Sequence, residues 1–555
     1  MQRLNHSVKA HLEIGILLIF VSIYLVIFNV TIPHGDALRV ARQIEAKELI
    51  WNPNHLLFDP FGYAWHRLIH TIGLDISILS GFELISGIAT IISLYIFHQI
   101  LLALGAKNGW IRVMIVVGLF ASKNFLSMSV SQYYFMLQMP FLLGALYCGI
   151  RFYDKAGTGE QAEKLLYAMG LLMAIATAIE INNVVPILFV GIGLIFASAP
   201  GRPVQYTTAL RFYGAAAALG VPIFIAGYLL SDTTSDFLSW IFAYEGKEDS
   251  SLTNYYGTSL TLVGILSSTA TVAFHLLFGN FIETAGLGTI LKVMVLGHPL
   301  EFVPDIGKLT LAALLIPVVA AGMVSLLVWS AARSRDDWLV RLNLLWVMGY
   351  LAFNFFWPYT SDLFWFQLLP FIWILVVLYA CKEWRTSEFG RSALRLTPVR
   401  LALGYLLVSL LLVLNTFQTI IPVAWTDMDG YQARHSAMLD GIDLEIIPGW
   451  DNYKWMMQNQ AGRSTEKLLL MNMALKAEDN EQHISHLGDV VDMHLSRGAR
   501  VVVGRLYALD RESNPWYGLA DLGWPRDRIK MLLEDFCHRP IIVIDDVSFH
   551  EIYNC

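Results

Sequence analysis

Apolar runs of about twenty residues, separated by short polar links, recur along most of this chain. A helix of that length spans the hydrocarbon core of a bilayer. Such runs fall at roughly 12–32, 76–104, 110–129, 133–150, 165–180, 183–199, 208–230, 309–330, 342–357, 364–381 and 401–422. They predict eleven membrane helices. The stretch 259–297 is also apolar. It either crosses twice, making thirteen, or lies at one face as an amphipathic or re-entrant piece. Beyond residue 422 the pattern changes. Leu468 to Met471 and Arg500 to Val503 read as short strands, Ile484 to Ser496 and Arg526 to Phe536 as helices, and Pro540 to Ile544 as an apolar strand.

Three parts follow from this pattern. Residues 1–230 hold seven spans and one large outer loop, 33–75. Residues 231–422 hold a long outer loop and four further spans. Residues 423–555 form a small mixed α/β domain outside the membrane. The first run lacks a small-residue cleavage site, so it reads as a retained helix.

Composition agrees. Of 555 residues, 56% are hydrophobic and only 15% are charged, and the mean hydropathy is +0.53. That balance belongs to an α-helical polytopic membrane protein. The distribution of Lys and Arg orients it. With the N-terminus in the cytoplasm, clusters such as Arg333, Arg335 and Arg341, or Lys382, Arg385, Arg391 and Arg395, fall inside. The outer loops before the terminal domain are much poorer in cations. This places the chain in the cytoplasmic membrane, with the terminal domain on the far side. One extra crossing in 259–297 would reverse the Arg333–Arg341 cluster, so an even number is expected. A net charge of −7 argues against nucleic-acid binding. No metal-ligand or phosphate-loop spacing occurs. Cys148 and Cys381 fall in apolar spans as packing residues, whereas Cys537 and Cys555 lie in the outer domain, where a disulfide can form.

The chemistry-bearing residues gather at the expected outer face. Asp36 follows the first span in Pro33-His34-Gly35-Asp36. Ala37, Val40, Ala41 and Ile44 then recur at helical spacing, which predicts a helix lying in the membrane plane. Asp36 at its start suits an N-cap and equally a general base; the two roles are compatible. His55, in Asn54-His55-Leu56, can hold a phosphate or a sugar hydroxyl, or sit as a capped loop histidine. Asp59 is a second acid or a turn start before Pro60. Arg39, Arg42 and Arg67 can meet a phosphate or lipid headgroups. Lys123, near the outer end of the third span, can face an outer cavity or snorkel to the interface. Glu180 stands in a very short turn, Glu180-Ile181-Asn182-Asn183, either to bind substrate or to cap the sixth span. Aromatic side chains cluster between Phe355 and Trp365, as a sugar platform or an interfacial belt. Glu83 and His98 are ionisable groups within the second span.

The long loop after the first span, the acid at its start, the amphipathic helix and the Asn-Pro/His turn resemble the GT-C membrane glycosyltransferases, above all the protein O-mannosyltransferase and aminoarabinose-transferase group. The layout covers residues 12–230 and the motif residues 33–70. Many members carry Asp-Glu where this chain has Asp36-Ala37. The resemblance implies a catalytic base at Asp36, a polyprenyl-phosphate sugar donor, and no cofactor beyond that co-substrate. It implies sugar transfer to a lipid, glycan or protein acceptor at the outer face. Two other classes stay open on the residues alone. A transporter would use Glu83 and His98, and a non-catalytic envelope assembly protein would use the terminal domain.

Overall fold

The computed structural model describes residues 2–28, 37, 40–41, 43–44, 51–74, 76–106, 108–132, 134–154, 160–196, 206–231, 236–242, 262–282, 306–334, 337–356, 365–380, 398–421, 441–447, 466–469, 480–504, 537–544 and 547–553. Its membrane part comprises α1 (Gln2–Ile27), α2 (Phe58–Thr71), α3 (Ile78–Ala103), α4 (Gly109–Ala121), α5 (Lys123–Ser129), α6 (Met139–Asp154), α7 (Glu160–Ile179), α8 (Val184–Phe196) and α9 (Tyr206–Leu230). These are followed by α10 (Phe237–Phe242), α11 (Leu262–Phe274), α12 (Ile306–Arg333), α13 (Trp338–Phe356), α14 (Leu369–Ala380) and α15 (Pro398–Asn415).

Each of the eleven apolar runs is mainly helical among the described residues. Among the described residues, eight helices are long and apolar enough to cross a membrane. The runs at 183–199 and 364–381 are shorter apolar helices, each entered through a 3-10 turn. The run at 110–129 departs from expectation. It is two helices, α4 and α5, bent by 75° at Ser122. Ser122 has extended backbone (φ −63°, ψ 131°), so α4 stops there. Its hydroxyl donates to Gly118 O at 2.9 Å and accepts from Trp373 Nε1 at 3.0 Å. Trp373 stands directly against Gly118, where a Cβ would collide with the indole. Of the stretch 259–297, the described residues form α11 and a π-helical turn, His275–Gly279.

One apolar core runs through the bundle. It includes Val21, Phe82, Phe97, Leu119, Phe125, Met136, Leu146, Trp346, Trp365 and Phe371. Ala37, Val40, Ala41 and Ile44 are helical as expected, yet their stripe is buried in this same core, so it faces protein and not lipid. The pairs α7–α9, α6–α7 and α8–α13 pack closely. Gly170 of α7 permits one such approach, since a Cβ there would meet Phe212 O at 2.6 Å. α9, α12 and α15 leave long apolar faces outward, for example Leu229, Val328 and Leu403, as lipid-facing helices do.

The terminal part is a five-stranded sheet with one described helix, α16 (Asn480–Ser496). Its strands are β1 (Leu444–Ile447), β2 (Glu466–Leu469), β3 (Val501–Gly504), β4 (Cys537–Ile544) and β5 (Val547–Tyr553), in the order β2-β1-β3-β5-β4. The first three are parallel and the last two antiparallel to them or to each other. Val501, Val502 and Val503 are all buried, as a parallel strand covered on both faces requires. β2, β3, β4 and α16 answer to expected elements; β1 and β5 are additional. The helix expected at 526–536 lies outside the described residues. Cys537 is disulfide-bonded, and Cys555 and Cys381 lie outside the described residues.

Candidate functional site

The loop after α1 returns to the bundle through a 3-10 turn, Pro53–His55. Asn52 starts this turn, accepting from Asn54 N at 2.9 Å on its side-chain oxygen. Leu57 N then donates to Ala178 O at 2.8 Å, which ties the loop to the end of α7. Glu180 follows α7 directly. The result is a close, buried contact, His55 Nδ1 to Glu180 Oε2, at 2.7 Å. Phe58 and Phe135 enclose the imidazole, with ring centroids at 5.8 Å and 5.3 Å.

Below this pair lies a network of carboxamides that the sequence reading passed over. Asn183 Nδ2 donates to Gln138 Oε1 at 2.6 Å and to the carbonyls of Ala176 and Glu180. Asn183 Oδ1 accepts from the Tyr350 hydroxyl at 2.6 Å. Gln367 exchanges hydrogen bonds with Asn182 and also donates to Gln138 Oε1. All of these side chains are fully buried. Asn and Gln among apolar neighbours are costly unless paired, and here they lock three 3-10 turns and α13 together.

A second polar junction surrounds the α4–α5 break. The amides of Lys123 and Asn124 donate to Phe281 O and Asn280 O at 3.3 Å and 3.2 Å. Asn124 and Asn280 also meet through their side chains. Asn415 Nδ2 donates to Ala121 O at 2.7 Å and Phe281 O at 2.8 Å. His275 stacks on Trp365 at 4.4 Å. Lys123 is half-buried and stands at the start of α5, at the bend and not at the tip of a straight span. The packing of α5 on the 3-10 segments around Gln138 and Gln367 brings the two junctions to the same end of the bundle.

The expected site residues are therefore placed as follows. His55 and Glu180 are in contact. Glu180 opens the turn before α8 without a side-chain cap, so capping is not what its carboxylate does. Asp59 is buried in the first turn of α2, inside the helix and not before it. Arg67 lies on α2 with its side chain exposed. α2 itself is bound to α3 through Trp65 Nε1 and Gly81 O at 2.9 Å. Asp36, Arg39 and Arg42 lie outside the described residues, as do Asp362 and most of the aromatic turn. Among the described residues, no group of three or more His, Cys, Asp or Glu is arranged to hold a metal.

His98, at the other end of the bundle, has a structural partner. Arg112 Nε donates to His98 Nε2 at 3.2 Å, Nη1 donates to Ala106 O at 2.6 Å, and Nη2 pairs with Glu13. This knot joins α1, α3 and α4.

No family model matches the sequence, and no curated protein sequence does. Solved structures do match in fold. The apo oligosaccharyltransferase of Archaeoglobus fulgidus aligns with a TM-score of 0.53 at 11% identity, covering 96% of this chain and 73% of its own. ArnT from Cupriavidus metallidurans, in the apo state, aligns at 0.52 and 11% identity, covering 97% of this chain and 98% of its own. ArnT bound to undecaprenyl phosphate aligns at 0.51 and 8% identity over 97% of each chain. The chain thus has the fold of the GT-C membrane glycosyltransferases.

Proposed function

We propose that this protein is a glycosyltransferase of the cytoplasmic membrane that moves a sugar from a polyprenyl-phosphate carrier to a lipid, glycan or protein acceptor at the outer face. One observation carries the reading. The fold matches ArnT over nearly the whole of both chains, and a solved form of ArnT holds undecaprenyl phosphate. The archaeal oligosaccharyltransferase has likewise been solved with a dolichol-phosphate. Two of the buried polar junctions lie at one end of the bundle, and in this reading the carrier's headgroup meets the chain there.

In this reading Asp36 accepts the proton of the acceptor hydroxyl or amine. The bond between the sugar's anomeric carbon and the carrier phosphate breaks as the acceptor bond forms. The phosphate leaves with the electron pair, and one or more of Arg39, Arg67 and Lys123 meet its charge. Such preorganised cations act most strongly where water is excluded. His55 and Asp59 are assigned to the same substrate site, with Glu180 behind His55. A bilayer-embedded enzyme receives a lipid carrier by lateral diffusion, which accounts for the many spans. Transport is the weaker reading, because His98 is tied into the Arg112–Glu13 knot.

The test is direct. Purified chain in lipid nanodiscs is supplied with radiolabelled polyprenyl-phosphate sugars and an envelope extract as acceptor. Label should move to acceptor with wild type and not with Asp36→Asn. Undiminished transfer by the variant removes Asp36 from the base role. No transfer by wild type from any carrier removes the reading.

A further inference from the structure

The structure treats His55 and Glu180 unequally. Glu180 retains 2% of its side-chain surface and His55 15%. Of the two, the imidazole keeps the accessible surface and the carboxylate is closed off. Glu180 is itself held on both sides. Its amide donates to Ala176 O at 2.9 Å and its carbonyl accepts from Asn183 Nδ2. Tyr350 and Gln138 in turn fix Asn183. The histidine is held with equal care, by the Asn52 cap, the Leu57–Ala178 bond and the two phenyl rings.

We infer that Glu180 is a positioning residue that acts through His55, and that His55 donates to the phosphate of the polyprenyl carrier beside the cations. This deepens the transferase reading and rests on it for the identity of the ligand. In this assignment the ring is protonated when the carrier is bound, with Nδ1 turned to the carboxylate and Nε2 on the opposite edge. An imidazolium in that orientation donates from Nε2 to a phosphate oxygen and keeps its proton while the phosphate takes up charge. Glu180 offsets the ring's charge and fixes its plane. Its own carboxylate touches no substrate.

The test reads carrier binding, separately from sugar transfer. Full-length protein in nanodiscs is titrated with undecaprenyl phosphate as the probe, for wild type, His55→Gln, Glu180→Gln and the double variant. Each single change should weaken binding roughly 10–100-fold, the factor that corresponds to losing a hydrogen bond to a charged group. The double variant should bind no more weakly than His55→Gln, because residues acting as one unit are not additive. Glu180→Asp should recover part of the loss, and thermal melting identifies any variant that fails to fold. An unchanged factor for Glu180→Gln in the His55→Gln background overturns the assignment, as does wild-type affinity in His55→Gln. Displacement of the probe by equimolar phosphatidic acid overturns the choice of carrier. Non-additive binding in a protein that transfers no sugar sinks the transferase reading and leaves the His55–Glu180 relation standing.

Discussion

Tyr350 of α13 donates its hydroxyl to Asn183 Oδ1 at 2.6 Å, joining two residues 167 positions apart in sequence. Neither side chain has any exposed surface. Replacing Tyr350 with Phe leaves Asn183 Oδ1 buried without that donor. The expected loss is about 1–3 kcal/mol, the penalty for an unsatisfied buried polar group. Thermal melting in detergent should show it against Tyr95→Phe, a change on the exposed face of α3.

Gly170 offers a steric test of the same helix layer. A Cβ there would lie 2.6 Å from Phe212 O and 2.8 Å from Ala215 Cβ. One of those atoms is backbone, so the neighbour cannot swing aside. Gly170→Ala should destabilise by about 1–3 kcal/mol, as overpacking does. Gly214→Ala meets nothing within 4 Å and should leave the melting temperature unchanged or raise it.

Arg112 should prove structural. Removing it by Arg112→Met leaves His98 and the part-exposed Glu13 without this partner, at an expected cost of about 1–3 kcal/mol. The double change Glu13→Gln with Arg112→Met should recover part of that loss in a melting experiment. An Arg112→Met protein as stable as wild type would show that the knot contributes nothing to the fold.

The terminal sheet should respond to acid through Glu551. Hydrogen bonds from Arg500, supported by Arg539, hold its carboxyl below the ordinary carboxylate value of 4.5. A depressed value in the folded state stabilises the fold at neutral pH. That contribution is lost as pH falls from about 4.5 through the lower folded value. Arg539 is largely exposed, so the effect should be about 1 kcal/mol or less. Hydrogen exchange of β3 and β5 in the full chain, corrected for intrinsic rates, should rise on acidification, and Glu551→Gln should flatten that rise.

Asp36→Asn carries the catalytic expectation. Loss of a general base typically lowers turnover by roughly 10²–10⁴. Carrier binding, measured in the same nanodiscs, should change little, because the base acts on the acceptor. A fall in both together would place Asp36 at the phosphate instead.

The spans were legible because length and hydropathy are signals written along one dimension. The break at Ser122 was not, since Leu119, Phe120, Ala121, Phe125 and Leu126 continue the apolar run across it. Its causes are distant residues: Trp373, Asn280 and Asn415. His55 and Glu180 each stood out as polar groups beside spans, yet their contact depends on how the first loop docks onto α7. Asn183, Gln138 and Gln367 offered a usable signal, carboxamides at the ends of apolar runs, which went unread for want of charge. In the terminal domain, Val501 to Val503 announced a buried strand. Leu444 to Ile447 is too short and carries Glu445, and β5 interrupts its alternation with His550 and Glu551.

The bend at Ser122 has a consequence for the bilayer. α4 has 13 residues, which reach about 20 Å at 1.5 Å each, while the hydrocarbon core is about 30 Å thick. α5 continues at 75° to it and so adds little depth. The segment therefore travels less of the bilayer's depth than a straight helix of its length would, and it turns aside inside the protein, where Ser122 and Asn124 keep no exposed surface.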